Sequence, residues 1–266
     1  MNFVKISSYF VGVNVGKIIP KSKVYKIPFF DSREVKVYSP WRQCPLGYHW
    51  VREHDRQKKT LEDVDPHCRR NPSNKDLLKG EEMDFIANSD LFLNPSIKVS
   101  KNHLGMLLVN LEMQNQFDYL IEGWTAYWND TLKPKEPLHP NIVKALIASE
   151  STFKLKSKAK NKEVGFARGL IQITEETQAI LKNLKGELSN NLASLSDDDI
   201  WDPNKNICAG VRWLYQKKFL LDHRLKRETS WKEVLMEYKG KTKYKSKENT
   251  RVKNDLERYL KIMDKK

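Results

Sequence analysis

Long apolar runs are missing from this chain of 266 residues. No stretch approaches the ~20 consecutive apolar residues that a membrane-spanning helix needs, so we expect no membrane span. The most apolar stretch near the start, residues 6–19, is short and is interrupted by Asn14 and Lys17. It also lacks a convincing small-residue cleavage site, so we interpret it as a strand rather than as a signal peptide.

Motifs for phosphate or base recognition are lacking too. We find no glycine-rich phosphate loop, no helix-turn-helix pattern and no base-stacking motif. The formal net charge is nevertheless +14, and such a balance favours an anionic partner. Charge alone does not choose among nucleic acid, acidic lipid and the anionic polymers of a bacterial wall, but the missing motifs make nucleic acid the minor candidate. The lysine-rich stretches 154–162 and 239–247 are most simply solvated loops.

Cysteine is scarce, with three in the chain, and two of them belong to an unusual cluster. The cluster comprises Cys44, His49, His54, His67 and Cys68. Two Cys and two His can form a tetrahedral zinc site, but there is no Cys-x-x-Cys, and the adjacent His67 and Cys68 would struggle to bind one ion. A Cys44–Cys68 disulfide and unlinked thiols are the other two interpretations, and we favour them over zinc.

The sequence pattern changes near residues 94–101. Before this point, the partial two-residue alternation at Val24–Phe30 and Glu34–Tyr38 is typical of strands. Beyond it, apolar residues recur at three- to four-residue spacing, which predicts helices. We therefore divide the chain into an irregular, β-containing region at 1–98, either a binding module or a structural cap, and a helical domain at 99–266. The helices are expected at about 103–113, 117–128, 141–150, 174–184, 203–220 and 231–238, with a last one ending near 263.

One glutamate, Glu150, lies on the apolar face of a predicted helix. It follows Ile142 and Leu146 at four-residue spacing, and Pro140 suits the first turn because its missing N–H costs nothing there. The carboxylate therefore projects from the face that should pack into the core, where an unpaired charge is expensive. A partly desolvated carboxyl binds its proton more tightly, which suits a general acid near neutral pH. For Glu150 taken alone, the alternative is a solvated residue at a frayed helix end.

Three further segments follow Glu150 in a fixed order. Residues 165–174 read Gly-Phe-Ala-Arg-Gly-Leu-Ile-Gln-Ile-Thr, residues 202–210 read Asp-Pro-Asn-Lys-Asn-Ile-Cys-Ala-Gly, and residues 237–240 read Glu-Tyr-Lys-Gly. With Glu150-Ser151 and a late tyrosine, this set resembles the lytic transglycosylases of the soluble (SLT) type, which share a goose-type lysozyme-like fold. The family pattern is Glu-Ser, Gly-Ala-x-Gly-Leu-Met-Gln, Asp-Pro-x-x-Asn-Ile-x-x-Gly, Ala-Tyr-Asn-x-Gly and a Tyr. One motif alone is weak, but four in order are a strong signal.

The resemblance implies a mainly α protein, with a C-terminal lysozyme-like helical domain behind the smaller β-containing region. It also implies cleavage of the MurNAc–GlcNAc β-1,4 bond of peptidoglycan with formation of 1,6-anhydro-MurNAc. Glycosidases usually employ two carboxylates, but no second one stands at a motif position, since Asp202 before Pro203 is an expected helix cap. In the resembled family one Glu is both acid and base, and that residue would be Glu150. Neither a metal nor a cofactor is implied.

The resemblance also assigns substrate-binding roles to individual residues. These residues are Ser151, Gly169, Gln172, Tyr238 and Tyr259. Ser151 would hydrogen-bond near the acid, Gly169 would let the backbone approach the sugar, and the other three would line the groove. For the two tyrosines, ordinary helix packing is an equal alternative.

Two departures from the family pattern matter for the site. Phe166 replaces a Gly at the entrance to the second motif, so the loop there must differ. Lys239 replaces the Asn that lies by the substrate's acetamide group in the family. The lysine either reaches the lactyl or stem-peptide carboxylates of the substrate or points to solvent.

Two other functions fit the same residues. One is a lysozyme-type muramidase that uses water on the same scaffold, and the other is a catalytically weak cell-wall-binding protein. In each case peptidoglycan glycan strands are the expected partner, and anionic wall polymers are a further candidate for the basic surface. Such a protein acts on the cell wall, in the periplasm or outside the cell. Because we find no convincing signal peptide, phage release and a specialised secretion route are both open as delivery routes.

Overall fold

The structure is a computed structural model that describes residues 40–51, 54–57, 61–71, 75–100, 111–161, 165–188, 190–240, 254 and 257–261. The chain separates into two units, Met1–Val35 and Lys36–Lys266, and every described residue lies in the second. The strands predicted at 6–19, 24–30 and 34–38, and most of the helix predicted at 103–113, lie outside the described residues. Within them the predicted fold class is confirmed, because helices dominate and short strands precede them.

The described elements alternate between short strands and helices of very different lengths. The strands are β1 (Tyr48–Val51), β2 (His54–Gln57), β3 (Leu61–Val64), β4 (His67–Arg70), β5 (Leu77–Lys79), β6 (Lys158–Asn161), β7 (Gly165–Arg168), β8 (Ile173–Thr174) and β9 (Leu192–Ser194). The helices are α1 (Gly80–Ala87), α2 (Asp90–Leu93), α3 (Leu111–Asn115), α4 (Asp118–Leu132), α5 (Pro140–Ser151), α6 (Glu175–Lys182), α7 (Pro203–Leu225) and α8 (Trp231–Tyr238). Residues 257–261 are also helical.

Four members of the cysteine–histidine cluster lie in two antiparallel strand pairs, and the fifth, Cys44, precedes β1. β1 pairs with β4, and β2 pairs with β3. A disulfide joins Cys44 to Cys68 across a Cα–Cα distance of 5.6 Å. Of the three interpretations of the cluster, namely a zinc site, a disulfide and unlinked thiols, the structure therefore agrees with the disulfide. Among the described residues, no group of three or more His, Cys, Asp or Glu is placed to hold a metal ion.

Strand β5 lies before the domain boundary predicted after residue 98, but its partner strand lies beyond it. β5 pairs in parallel with β9, and the Leu192 N–H donates to the Asp76 carbonyl (2.8 Å). α1 follows β5 directly and packs against α7; the sequence pattern predicts neither α1 nor α2. The predicted boundary therefore cuts contacts within one unit, and independent folding of residues 99–266 stays a prediction.

The predicted helices of the C-terminal half have close counterparts. α4, α5, α6 and α8 end within four residues of their predicted limits, and α7 runs five residues further than predicted. Asp202 caps α7, as predicted, because its carboxylate accepts a hydrogen bond from the Lys205 N–H (3.1 Å). No helix in the described part of the chain combines the length and the apolarity needed to cross a membrane.

Aromatic residues of α4 form the centre of the core. Trp124, Tyr127 and Trp128 are at most 1% exposed, and consecutive rings in this series pack edge to face, a geometry that aromatic pairs prefer. Gly123 lets the Phe92 ring approach, because a Cβ at that position would stand 2.4 Å from the ring. α2 is held on α4 by this contact.

A small sheet fills a stretch that the sequence pattern assigns to a loop. β6, β7 and β8 form an antiparallel sheet in that order. β6 lies inside the lysine-rich stretch 154–162, so a strand replaces the predicted loop there, although residues 158–160 are exposed to solvent as predicted. The sheet stands between α5 and α6 along the chain, and its strands β7 and β8 belong to the second motif segment, residues 165–174.

Candidate active site

Helix α5 presents Glu150 at its last turn. The helix begins with Pro140 in its first turn, where the His139 Nδ1 accepts a hydrogen bond from the Asn141 N–H (3.1 Å). Its apolar face is fully buried at Val143, Leu146 and Ile147. At the end of this face, 17% of the Glu150 side chain is exposed. The carboxylate is therefore mostly withdrawn from water but still reachable.

The chain turns sharply just after Glu150. Thr152 and Phe153 both adopt a left-handed backbone, with φ of 49° and 61°, which costs non-glycine residues about 1–2 kcal/mol each. Phe153 is 1% exposed, so its side chain is anchored in the core. Strained backbone of this kind clusters at functional sites, and here it ends α5 within two residues of Glu150.

Lys239 contacts Glu150 directly. Its Nζ lies 2.8 Å from the Glu150 Oε1, and it also donates to the carbonyl oxygen (3.2 Å) and the hydroxyl (3.3 Å) of Ser149. Only 11% of the lysine side chain is exposed. The other carboxylate oxygen, Glu150 Oε2, has no hydrogen-bond partner among the described residues. One oxygen of the carboxylate is held, and the other is open.

Helix α8 brings Lys239 to this position. The helix starts with a capping box, in which the Ser230 hydroxyl accepts from the Glu233 N–H and the Glu233 carboxylate accepts from the Ser230 N–H. The hydrogen bond from Arg227, together with those from Ser230, lowers the pKa of Glu233 to about 2. Lys239 immediately follows α8 as its C-terminal cap residue, so the capped start of α8 helps to set the position of Lys239.

Tyr238, the residue before Lys239, ties α8 to the second motif. Its hydroxyl donates to the Ile171 carbonyl (3.0 Å). Burial, and secondarily the charge of Glu150, raise the pKa of Tyr238 well above its usual value. The phenol therefore stays protonated and keeps donating. Tyr238 is also close enough to Glu150 for the two groups to interact electrostatically.

Gly169 is required by packing against α7. Its φ is +79°, and a Cβ there would stand 2.3 Å from the Asn206 Nδ2 and 2.8 Å from the Ile200 carbonyl. The Asn206 side chain accepts from the Ile171 N–H (3.0 Å) and donates to the Ile200 carbonyl (2.9 Å). Gly169 of the second motif and Asn206 of the third motif therefore pack directly against each other. A role of Gly169 in approaching sugar stays a prediction.

The side chain of Gln172 stabilises the turn that contains Gly169. Its Nε2 donates to the Gly169 carbonyl (2.7 Å) and to the Ser157 carbonyl (3.0 Å). Its own backbone is left-handed, with φ of 56°. The side-chain oxygen has no partner among the described residues, and it is the atom of Gln172 that is available to accept from a sugar hydroxyl.

The structure shows contacts of Ser151 and Tyr259 that the sequence motifs do not predict. The Ser151 hydroxyl donates to the Ile147 carbonyl of its own helix (3.2 Å) and is buried, so it bonds the backbone rather than the acid. Tyr259 is buried in the core, in the helical stretch 257–261. The packing alternative therefore has direct support for Tyr259, and groove contacts of either residue stay predictions.

Sequence reasoning missed the partnership of Lys239 with Glu150. The motif comparison marks position 239 as unusual but contains no signal for an ion pair with a residue 89 positions away. Phe166, the other departure, lies in β7, where the Lys158 ammonium stands 4.0 Å from the centre of its ring. The ring thus takes part in a cation–π contact within the small sheet.

Comparison with known proteins agrees with the motifs. No curated protein matches the chain. Residues 128–259 match the family model described as "Transglycosylase SLT domain", and this segment contains α5, the small sheet, α7, α8 and every candidate site residue. Residues 128–259 therefore belong to the transglycosylase SLT domain family, within the lysozyme-like superfamily.

Proposed function

We propose that this protein is a peptidoglycan lytic transglycosylase with Glu150 as its general acid and base. The observation that carries the proposal is the carboxylate of Glu150, held at one oxygen and open at the other, at the end of a buried helix within the SLT segment. The substrate is the glycan strand of peptidoglycan, cut at the MurNAc–GlcNAc β-1,4 bond.

One carboxyl group suffices for the proposed reaction. Glu150 gives its proton to the glycosidic oxygen as the bond from that oxygen to the MurNAc C1 breaks, and the substrate's acetamide oxygen bonds to C1. The Glu150 carboxylate then removes the proton of the MurNAc 6-hydroxyl, and O6 bonds to C1 as the acetamide oxygen leaves. The carboxyl is regenerated, no water is consumed, and the product is 1,6-anhydro-MurNAc.

The neighbours of Glu150 bind and orient the substrate in this proposal. The free side-chain oxygen of Gln172 accepts from a sugar hydroxyl, and the Tyr238 ring forms part of the groove wall. Both residues are fixed by hydrogen bonds to the Gly169–Ile171 turn. A pre-oriented site of this kind loses little entropy on binding, which favours reaction.

We also propose that the protein acts on the cell wall outside the cytoplasm. The Cys44–Cys68 disulfide supports this location, because structural disulfides persist in oxidising compartments and are rare in the cytosol. The excess of positive charge supports contact with anionic wall polymers.

Mass spectrometry of purified sacculi incubated with the protein tests the proposed reaction. We expect muropeptides with anhydro ends, each one water lighter than the hydrolysis product. Reducing ends would instead identify a muramidase, and binding to sacculi without release would identify a wall-binding protein. Glu150→Gln is the matched control, since the anhydro products should disappear while binding to sacculi remains.

A further inference from the structure

The ammonium of Lys239 is fully engaged within the protein. It has three hydrogens, and three acceptors surround it: the Glu150 Oε1, the Ser149 carbonyl and the Ser149 hydroxyl. All three belong to the last turn of α5. A lysine that pointed to solvent would be far more exposed than 11%.

Two effects of this contact bear on α5. The last carbonyls of a helix lack partners within the helix, and Lys239 supplies one to Ser149. A cation at the C-terminal end also interacts favourably with the helix dipole. Lys239 thus caps α5 from another helix and, with the same nitrogen, fixes the rotation of the Glu150 carboxylate.

We propose that Lys239 is a positioning residue for Glu150, an inference that rests on the proposed function. By holding Oε1, it directs Oε2 at the glycosidic oxygen. When Glu150 gives up its proton and becomes a carboxylate, the nearby ammonium stabilises the new negative charge. Lys239 itself transfers no proton and forms no bond to the sugar. It takes the place of the family's Asn with a different task.

The proposal differs from direct binding of substrate carboxylates by Lys239. That alternative requires a free N–H on the ammonium, whereas all three are already committed. Direct binding would change KM and make kcat/KM sensitive to salt. Positioning acts on kcat, because a catalytic group displaced by about 1 Å can lose about a hundredfold in rate.

The chain allows a test in which only the ammonium is removed and restored. Lys239→Cys introduces one reactive thiol, since Cys44 and Cys68 are joined and burial raises the pKa of the Cys208 thiol well above its usual value. Alkylation with 2-bromoethylamine forms a carbon–sulfur bond, releases bromide and restores an ammonium at lysine length. Iodoacetamide on the same preparation adds a neutral amide instead. Lys232→Cys, at an exposed position of α8, is the matched control.

Release of anhydro ends from soluble glycan strands gives kcat and KM for each form. We expect Lys239→Cys to lower kcat about 10- to 100-fold with KM within about twofold, aminoethylation to restore most of kcat, and carbamidomethylation to restore none. The Lys232→Cys forms should all match the wild type. An unchanged kcat, a loss that neither reagent repairs, or a change confined to KM and its salt dependence would overturn the proposal.

Failure of the proposed function is separable from failure of this inference. If the wild type releases reducing ends, the proposed product is wrong, but the same kcat comparison still tests Lys239. If it releases nothing, the contact is tested by denaturation of Lys239→Met, Glu150→Met and the double variant, in which each single change removes the hydrogen bond. Strictly additive midpoint shifts would then overturn the pairing, whereas non-additive shifts support it.

Discussion

The Tyr238 hydroxyl donates to the Ile171 carbonyl over 3.0 Å and so joins the end of α8 to the turn between β7 and β8. We expect Tyr238→Phe to leave this carbonyl short of a partner and to lower the unfolding free energy by about 1–3 kcal/mol. Urea denaturation followed by circular dichroism measures the loss. Tyr119→Phe, at a tyrosine that is 50% exposed, is the control, and equal midpoints for the two variants would contradict the structural role of the bond.

Glu150→Gln is expected to lower the rate of cleavage at least ~10²–10⁴-fold, which is the usual contribution of a general acid. Its folding should be nearly unchanged, because the amide oxygen still accepts from Lys239 and the side chain keeps its shape. Turbidity loss of a sacculus suspension measures the rate. Glu187→Gln, at an exposed loop position, should behave as wild type. Activity of Glu150→Gln within tenfold of wild type would remove Glu150 from the mechanism.

Two glycines with a positive φ offer a matched pair. A Cβ on Gly169 meets Asn206 and Ile200, whereas a Cβ on Gly240 meets none of the described residues within 4 Å. Gly240→Ala should cost only the left-handed penalty of about 1–2 kcal/mol, and Gly169→Ala should cost about 1–3 kcal/mol more through overpacking. Denaturant midpoints compare them. Similar losses would mean that Asn206 moves aside freely.

The cap of α8 predicts a dependence of stability on acid. The folded pKa of Glu233 is lowered to about 2 from 4.5, so its stabilising effect is fully present above pH 4.5 and disappears as the pH falls toward 2. The difference in unfolding free energy between wild type and Glu233→Gln should therefore shrink over that range. Because Glu233 is 39% exposed, the effect is screened and small. A constant difference between pH 5 and pH 2 would exclude it.

The start of the helical domain can be tested by truncation. A chain that begins at residue 99 lacks β5, the partner of β9, and Phe92, which packs over Gly123. We expect it to unfold at a lower urea concentration than a chain that begins at residue 36, although its helices remain detectable. Equal midpoints for the two would mean that the domain boundary predicted after residue 98 is also a folding boundary.

Local pattern predicts part of this molecule well. The apolar spacing predicts the ends of α5 and α8 to within a few residues, so Glu150 and Tyr238 lie in the helices that the periodicity predicts. β5 and α1 are not predicted, because a three-residue strand such as Leu77–Lys79 has too little periodicity and finds its partner more than a hundred positions away. Lys239 and Glu150 are also far apart in the sequence, and no local sequence pattern predicts that they form a pair.

The left-handed pair Thr152 and Phe153 has a consequence for how this chain tolerates change. α5 has 12 residues, from Pro140 to the residue before the left-handed pair. Each helical residue rotates the chain by about 100° around the helix axis. Deleting or inserting one residue between Pro140 and this pair would swing Glu150 about a quarter-turn away from Lys239. The two ends of α5 therefore fix its length. We expect this segment to tolerate amino-acid substitutions but not insertions or deletions.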